Sequence, residues 1–212
     1  MGVMHGNSPK TLRQDLIAKR KQLTSSAKYQ ALCQAIHSEL NRFLVNSDPQ
    51  LRSIALYCPI QAEIDLRPTV LAWACQATGR TLALPFARPD KHLDFYVWEK
   101  EDLLIPSQYG VPEPDPNNPR RPQVSPDCIF IPVVGWSESH DLGPNGLKKH
   151  YWRLGYGGGY FDRTLAHLRK AKPDLLCIGV GFDWQKLDDA QWQAQTHDEP
   201  LDAMLTETGL LR

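Results

Sequence analysis

Arg153-Leu154-Gly155-Tyr156-Gly157-Gly158-Gly159-Tyr160-Phe161-Asp162-Arg163 is the stretch on which the reading of the fold turns. It lies between an apolar, strand-like run and an amphipathic, helix-like one, so it reads as the loop of a strand-loop-helix unit. Four of its eleven residues are glycine and a cation stands at each end. Glycine permits positive φ and close approach of the backbone. Successive N–H groups can therefore line one concavity, to which the following helix adds its positive N-terminus. Such a loop suits phosphate. It is neither a Walker loop, since no Gly-Lys-Ser/Thr closes it, nor the dinucleotide fingerprint, since Gly155, Gly157 and Gly159 alternate. Without further context, a solvated glycine-rich turn remains the other reading.

Outward from this loop the pattern alternates. Ser8-Pro9 reads as an N-cap and first helical residue opening a helix to about Leu23, and a second helix is expected from Ser26 to Val45. Short strands are expected at 53–57, 81–84, 93–98, 128–131, 175–180 and 203–205, with helices at Leu66–Ala77 and Tyr160–Ala171. Cys128-Ile129-Phe130-Ile131 is continuously apolar, as in a strand covered on both faces. Strands alternating with helices imply an α/β three-layer sandwich with a largely parallel sheet. The expected organisation is one domain over 1–212, with N-terminal helices at 1–46 and an α/β core at 50–207. In such a sheet a glycine loop falls at the carboxyl end of a strand, where ligands bind.

Composition narrows the function classes. Lys plus Arg and Asp plus Glu both total 24, so no global field draws the chain to nucleic acid or membrane. The five cysteines are odd in number and widely spaced, which suits reduced thiols in a cytoplasmic protein better than a disulfide framework. No CxxC or HxxxH spacing suggests zinc. The N-terminus lacks an apolar signal region, and no apolar run approaches membrane-spanning length.

Several residue sets could carry chemistry. Lys10 and Arg13 stand one helical turn apart and either grip phosphate oxygens together or form an ordinary charged face; Arg20 is a third candidate. Glu63 and Asp65 lie between a strand and a helix, where carboxylates complement the helix dipole. Tyr109 and Tyr160 could stack on a flat ring. Asp162 falls in the first turn after the glycine loop, where it stabilises the helix terminus or holds a cation. Asp198 and Asp202 are further possible metal groups.

The sequence Arg153–Arg163 resembles the signature of the 5-formyltetrahydrofolate cyclo-ligases, with Phe161 where a second tyrosine is common. The likeness extends to Lys10-x-Leu12-Arg13, to Glu63 in its Glu-Ile-Asp context, to Tyr109-Gly110-Val111-Pro112-Glu113-Pro114, and to a tail from Phe182 through His197-Asp198 to Thr206-Glu207. It implies an ATP- and Mg²⁺-dependent enzyme that closes 5-formyltetrahydrofolate to 5,10-methenyltetrahydrofolate and releases ADP and phosphate. ATP would be held by Lys10, Arg13, Arg153, Gly155, Tyr156, Gly157, Gly158, Gly159 and Tyr160. The folate, polyglutamylated or not, would meet Glu63, Tyr109 and Tyr160. Arg153 and Asp162 would serve catalysis, and Asp162 with Asp198 the metal. The expected state is a cytoplasmic monomer without nucleic-acid or membrane partners. A non-catalytic nucleotide- or folate-binding relative and another phosphate-ligand enzyme on the same fold are the alternatives. One departure stands out. The family places a short Phe-Asp-x-x-Gly-x segment before Arg-Leu-Gly, whereas Trp136–Trp152 is longer and includes His140, Asp141, Pro144 and Lys148-Lys149. This stretch is expected to be a lid over the nucleotide or a tolerated loop elongation.

Overall fold

A computed structural model describes residues 8–143 and 146–212. Helix α1 (Pro9–Leu23) opens as the sequence suggests, with the Ser8 hydroxyl accepting from the Thr11 N–H at 3.3 Å and proline in the first turn. Helix α2 (Ala27–Val45) is capped in the same way by Ser26, which accepts from the Tyr29 N–H. Strand β1 (Ser53–Ala55) and helix α3 (Arg67–Ala74) follow, then β2 (Thr81–Ala87) and β3 (Leu93–Val97). Two short strands, β4 (Ile105–Pro106) and β5 (Pro112–Glu113), form a small arm. After β6 (Cys128–Pro132) come β7 (Gly135–Gly143) and β8 (Gly146–Leu154), then helix α4 (Tyr160–Ala171), β9 (Leu176–Val180), β10 (Ala203–Thr206) and β11 (Gly209–Leu211).

Seven strands form the main sheet in the order β11-β10-β9-β6-β1-β2-β3. The five central strands are parallel and the two outer ones, β3 and β11, antiparallel. The apolar run of β6 explains the layering, because successive residues serve opposite faces. Cys128 and Phe130 enter the core built with Ile36, Leu40 and Leu44 of α2 and Val70 and Trp73 of α3. Ile129 and Ile131 enter the other core, with Leu165 and Leu168 of α4. The fourfold spacing of Ile36, Leu40 and Leu44 puts them on one stripe, and burying each such side chain stabilises by about 2 kcal/mol. The three-layer arrangement and the largely parallel sheet agree with the sequence.

Two features position the site. From β1 the chain adds β2 on one side and β6 on the other, so the strand order reverses between β1 and β6. At such a switch point the loops leaving adjacent strands diverge and open a crevice at their carboxyl ends. Helix α1 closes that end. Its Leu16 packs against Val134, Leu154 and Leu187, which places the arginines of α1 beside the glycine loop.

The stretch from Trp136 to Trp152 departs from expectation. It is an antiparallel ribbon, β7 paired with β8 from Gly135↔Leu154 to Gly143↔Gly146, separate from the main sheet. The strand entering the glycine loop is therefore one arm of a hairpin and not a strand of the sheet. Among the described residues none from 137 to 152 lines the cavity described below, so the ribbon is neither a lid in this conformation nor an irregular loop. Pro144 and the Lys148 side chain lie outside the described residues. No helix among the described residues is long and apolar enough to cross a membrane.

Candidate active site

A cavity of about 780 Å³ opens over the carboxyl ends of β1, β2 and β6, lined there by Tyr57, Cys58, Pro85 and Pro132. One wall is the whole run from Arg153 to Asp162, with Arg13 above it. Facing walls come from Glu63, from Tyr109, Val111 and Glu113 of the β4–β5 arm, and from Gln195, His197 and Asp198.

The glycine loop has a clear polarity. Gly157 and Gly159 have φ of +93° and +68°, conformations that cost little only for glycine. Its carbonyls are taken by arginines. Arg13 Nε donates to the Gly155 oxygen at 2.7 Å, and Arg163 donates from one nitrogen to the Gly158 and Gly159 oxygens at 3.0 Å each. The N–H groups from Gly155 to Tyr160 meet no protein acceptor among the described residues. Carbonyls engaged by cations and amides left free, at the start of a helix, make a surface for an oxyanion. Arg163, read from sequence only as the cation at the far end of the loop, is part of the loop's own wiring. Its place one turn after Gly159 is the signal that could have revealed it.

Arg153 and Asp162, the two expected catalytic groups, are joined to each other. Asp162 Oδ1 accepts from Arg153 and from the Glu199 N–H at 3.2 Å, while Arg153 donates to the Glu199 oxygen at 2.8 Å. Burial works against the Arg153 charge, and Asp162 offsets it. The pair therefore bolts the helix start to the 195–199 segment. Asp198 lines the cavity nearby, with Oδ2 accepting from the Gln195 N–H at 2.7 Å. Asp202 lies outside the cavity wall, paired with Arg169 and accepting from the Cys177 N–H.

Glu63 is held by design of its loop. Gln61 and Ala62 both sit at positive φ, +49° and +63°, a strained conformation for non-glycine residues that persists only where surroundings enforce it. Arg20 Nε donates to the Gln61 oxygen at 2.9 Å and Tyr29 donates to the Ala62 oxygen at 2.9 Å. The Glu63 carboxylate then accepts from the Ile60 N–H at 2.9 Å and from the Tyr156 hydroxyl at 2.7 Å. Arg20 completes the group by donating to the Tyr156 oxygen at 2.7 Å, 3.8 Å from Glu63. Burial pushes the Glu63 carboxyl above the usual range, against the pull of Ile60, Tyr156 and Arg20. Asp65, by contrast, forms a forked pair with Arg67 at the start of α3, the helix-terminal role read for it.

The three candidate phosphate-binding cations among those of α1 thus part company. Arg13 reaches the loop, Lys10 is exposed and outside the cavity wall, and Arg20 is buried and fully engaged. Arg20 stands four residues after buried Leu16, on the apolar stripe, and that spacing signals burial over phosphate contact. Tyr109 and Tyr160 meet edge to face, ring centres 5.9 Å apart, with hydroxyls 2.9 Å apart.

Residues 5–207 match the 5-formyltetrahydrofolate cyclo-ligase family across nearly the whole chain. The chain belongs to that family. It is 28% identical over 178 residues to the 5-formyltetrahydrofolate cyclo-ligase of Mycoplasma genitalium, covering 82% of this chain and 85% of that one. The Haemophilus influenzae 5-formyltetrahydrofolate cyclo-ligase is 24% identical over 87% of this chain and 91% of its own. The NMR structure of Aquifex aeolicus 5,10-methenyltetrahydrofolate synthetase superimposes with a TM-score of 0.68 at 25% identity, over 96% of this chain and 92% of that one. The Mycoplasma pneumoniae 5,10-methenyltetrahydrofolate synthetase shares the fold, with a TM-score of 0.64 over 95% of this chain and 99% of that one. In this chain the glycine loop, Glu63 and the aromatic arm converge on one cavity.

Proposed function

We infer that the chain is a ligase that closes 5-formyltetrahydrofolate to 5,10-methenyltetrahydrofolate at the expense of ATP, releasing ADP and phosphate. The observation that carries this reading is the glycine loop of a family member, its amides without protein acceptors among the described residues, lining the same cavity as Glu63. The formyl oxygen attacks the γ-phosphorus, ADP departs, and the formyl carbon becomes an activated iminium phosphate. N10 then attacks that carbon, loses its proton, and inorganic phosphate leaves. Such a reaction needs positioning and charge neutralisation more than a protein nucleophile.

The residues divide accordingly. The amides from Gly155 to Tyr160 and the Arg13 guanidinium receive phosphate oxygens, with Lys10 able to reach the outer phosphates from solvent. Arg153 contributes through its pair with Asp162, which fixes the helix start, as well as through its charge. Mg²⁺ fits as a nucleotide-borne ion. Among the described residues no three His, Cys, Asp or Glu side chains form a metal cage, but Mg²⁺ bound with phosphates needs only one or two carboxylates. Asp162 and Asp198 on the cavity wall would hold it, and it would neutralise phosphate charge. Glu63 retains acceptor capacity toward a ring N–H, and Tyr109 and Tyr160 offer faces for the pterin and the aromatic ring beyond it. The five free cysteines fit a cytoplasmic enzyme of one-carbon metabolism, which we take to act as a monomer.

Purified protein with 5-formyltetrahydrofolate, ATP and Mg²⁺ should develop the near-ultraviolet band of methenyltetrahydrofolate, and mixtures lacking ATP or Mg²⁺ should not. A flat trace from folded protein would overturn the reading. Arg13→Ala should raise the KM for ATP at least tenfold while leaving the KM for the folate within about twofold; the reverse pattern would misplace the nucleotide.

A further inference from the structure

Of the carboxylates facing the glycine loop across the cavity, Asp198 is read above as a metal group, and the other two, Glu63 and Glu113, are provided for differently. Glu63 has Arg20 and Tyr156. Glu113, on β5, is only 7% exposed, and among the described residues it has no ion-pair partner. Neutral groups alone flank it, the Ala87 amide and the Ser107 hydroxyl. Ser107 is set for this task, because its oxygen already accepts from the N–H groups of Tyr109 at 3.2 Å and Val111 at 3.1 Å, which leaves its proton to donate. Glu113 lines the cavity together with Cys58, at the end of β1, and Tyr160 of the glycine loop. A carboxylate has about four acceptor positions, so two neutral neighbours leave acceptor capacity toward the cavity that Glu113 lines, where a ligand bearing donors can use it.

We propose that Glu113 is a substrate-binding and specificity-determining residue, whose carboxylate accepts the adjacent N3–H and 2-amino donors of the folate's pyrimidine edge. The proposal rests on the functional reading above. Of the groups on a reduced pterin, this edge alone offers two parallel N–H donors at the spacing of a carboxylate's two oxygens. The cavity wall here is apolar apart from Glu113, with Cys58, Pro85, Ala87 and Val111 around it, which favours a flat ring with one polar edge. A site built to satisfy donors penalises an analogue lacking them more strongly than an apolar site could.

The test compares wild type, Glu113→Gln and Glu113→Asp with 5-formyltetrahydrofolate and its 2-desamino-2-methyl analogue, by steady-state kinetics and by calorimetric binding without turnover. Wild type should bind the analogue at least tenfold more weakly than the parent. Glu113→Gln should raise the KM for the parent about tenfold, keep the KM for ATP within twofold, and lose most of the preference for the parent. Glu113→Asp, which keeps the charge but withdraws it by one methylene, should fall between. A merely structural role would change both substrates' parameters together and leave the preference intact. Retention of the wild-type preference by either folded variant in an enzyme that turns over, or equal wild-type affinity for parent and analogue, would overturn this proposal alone. Wild type that fails to turn over 5-formyltetrahydrofolate would overturn the functional reading and this proposal with it.

Discussion

Carboxylates at the two ends of the parallel sheet are treated in opposite ways. At the amino end, Asp127 immediately before β6 accepts from the N–H groups of Arg52 and Ser53 at 2.9 and 2.8 Å, from the Ser53 hydroxyl at 2.9 Å, and from Lys172 just after α4. Burial opposes its charge, but Lys172 and the Arg52 and Ser53 donors win and pull the carboxyl down to about 2. At the carboxyl end Glu63 and Glu113 are both pushed upward by burial, with too few donors to compensate. One end is bonded so that folding rewards charge. The other carries an unrelieved desolvation cost, which a ligand bearing donors can relieve. Strength and function are thus segregated along the strand direction.

The segregation has a pH signature of opposite sign at each end. Asp127 binds its proton more weakly in the folded state, so its stabilisation is present above the unfolded value and is lost as pH falls from about 4 through about 2. Glu63 and Glu113 bind theirs more tightly when folded. Their contribution is unpenalised below the unfolded value and turns against folding as pH rises toward the folded one.

The largest effect should come from removing the one cation that serves Glu63. Arg20 and Glu63 have side chains 3% and 2% exposed, so Arg20→Met strands a buried carboxylate. Breaking such a pair from one side costs about 3–5 kcal/mol. Urea unfolding at pH 7 should show that loss, and Glu63→Gln added to Arg20→Met should recover much of it. If the second change recovers nothing, the Arg20 bonds to the Gln61 and Val133 carbonyls are what matters. A smaller loss, about 2 kcal/mol at pH 7, is expected for Asp127→Asn, from the shift of 3.8 to about 2. It should shrink to nothing near pH 2, where wild type has also lost the charge. A loss constant with pH would show that the hydrogen bonds act without the charge.

How much of this was legible in the sequence follows the same division. Six strands of the sheet and the four helices announce themselves because their periodicity is set by burial, as in Ile36, Leu40 and Leu44 or in the run of β6, whereas the half-buried edge strand β11 does not. The β7–β8 ribbon is silent for the complementary reason. It buries mainly its base, at Trp136, Tyr151 and Leu154, and its polar remainder, Ser139-His140-Asp141 and Lys149-His150, carries no two-residue alternation of apolar side chains. The glycine loop was legible as a glycine-rich connection opening a helix, the element that lines the cavity. Its wiring was not, since Arg153 with Asp162, Arg20 with Tyr156, and the isolation of Glu113 are properties of residues far apart in the chain. Arg20 is an intermediate case, visible in retrospect from its place on the Leu16 stripe.

The smallest change sharpens the comparison most, because it touches a hydroxyl that ties the glycine loop to the Glu63 wall. Tyr156 belongs to the glycine loop, yet its hydroxyl donates to Glu63 and accepts from Arg20, both at 2.7 Å. Tyr156→Phe deletes that oxygen and leaves Arg20 and Glu63 3.8 Å apart, close enough to approach each other directly. Stability should therefore fall by only about 1 kcal/mol, the net worth of an ordinary hydrogen bond. Binding should be more revealing. With the hydroxyl present, ordering the loop around phosphates also holds Glu63, so ATP should tighten folate binding and the folate should tighten ATP binding by the same factor. In Tyr156→Phe that mutual factor, measured by titrating each ligand with and without the non-hydrolysable analogue of the other, should fall toward one. If it persists undiminished, the loop and Glu63 are held independently and the two walls communicate by another route, the shared packing of α1 against Leu154 being the next contact to break.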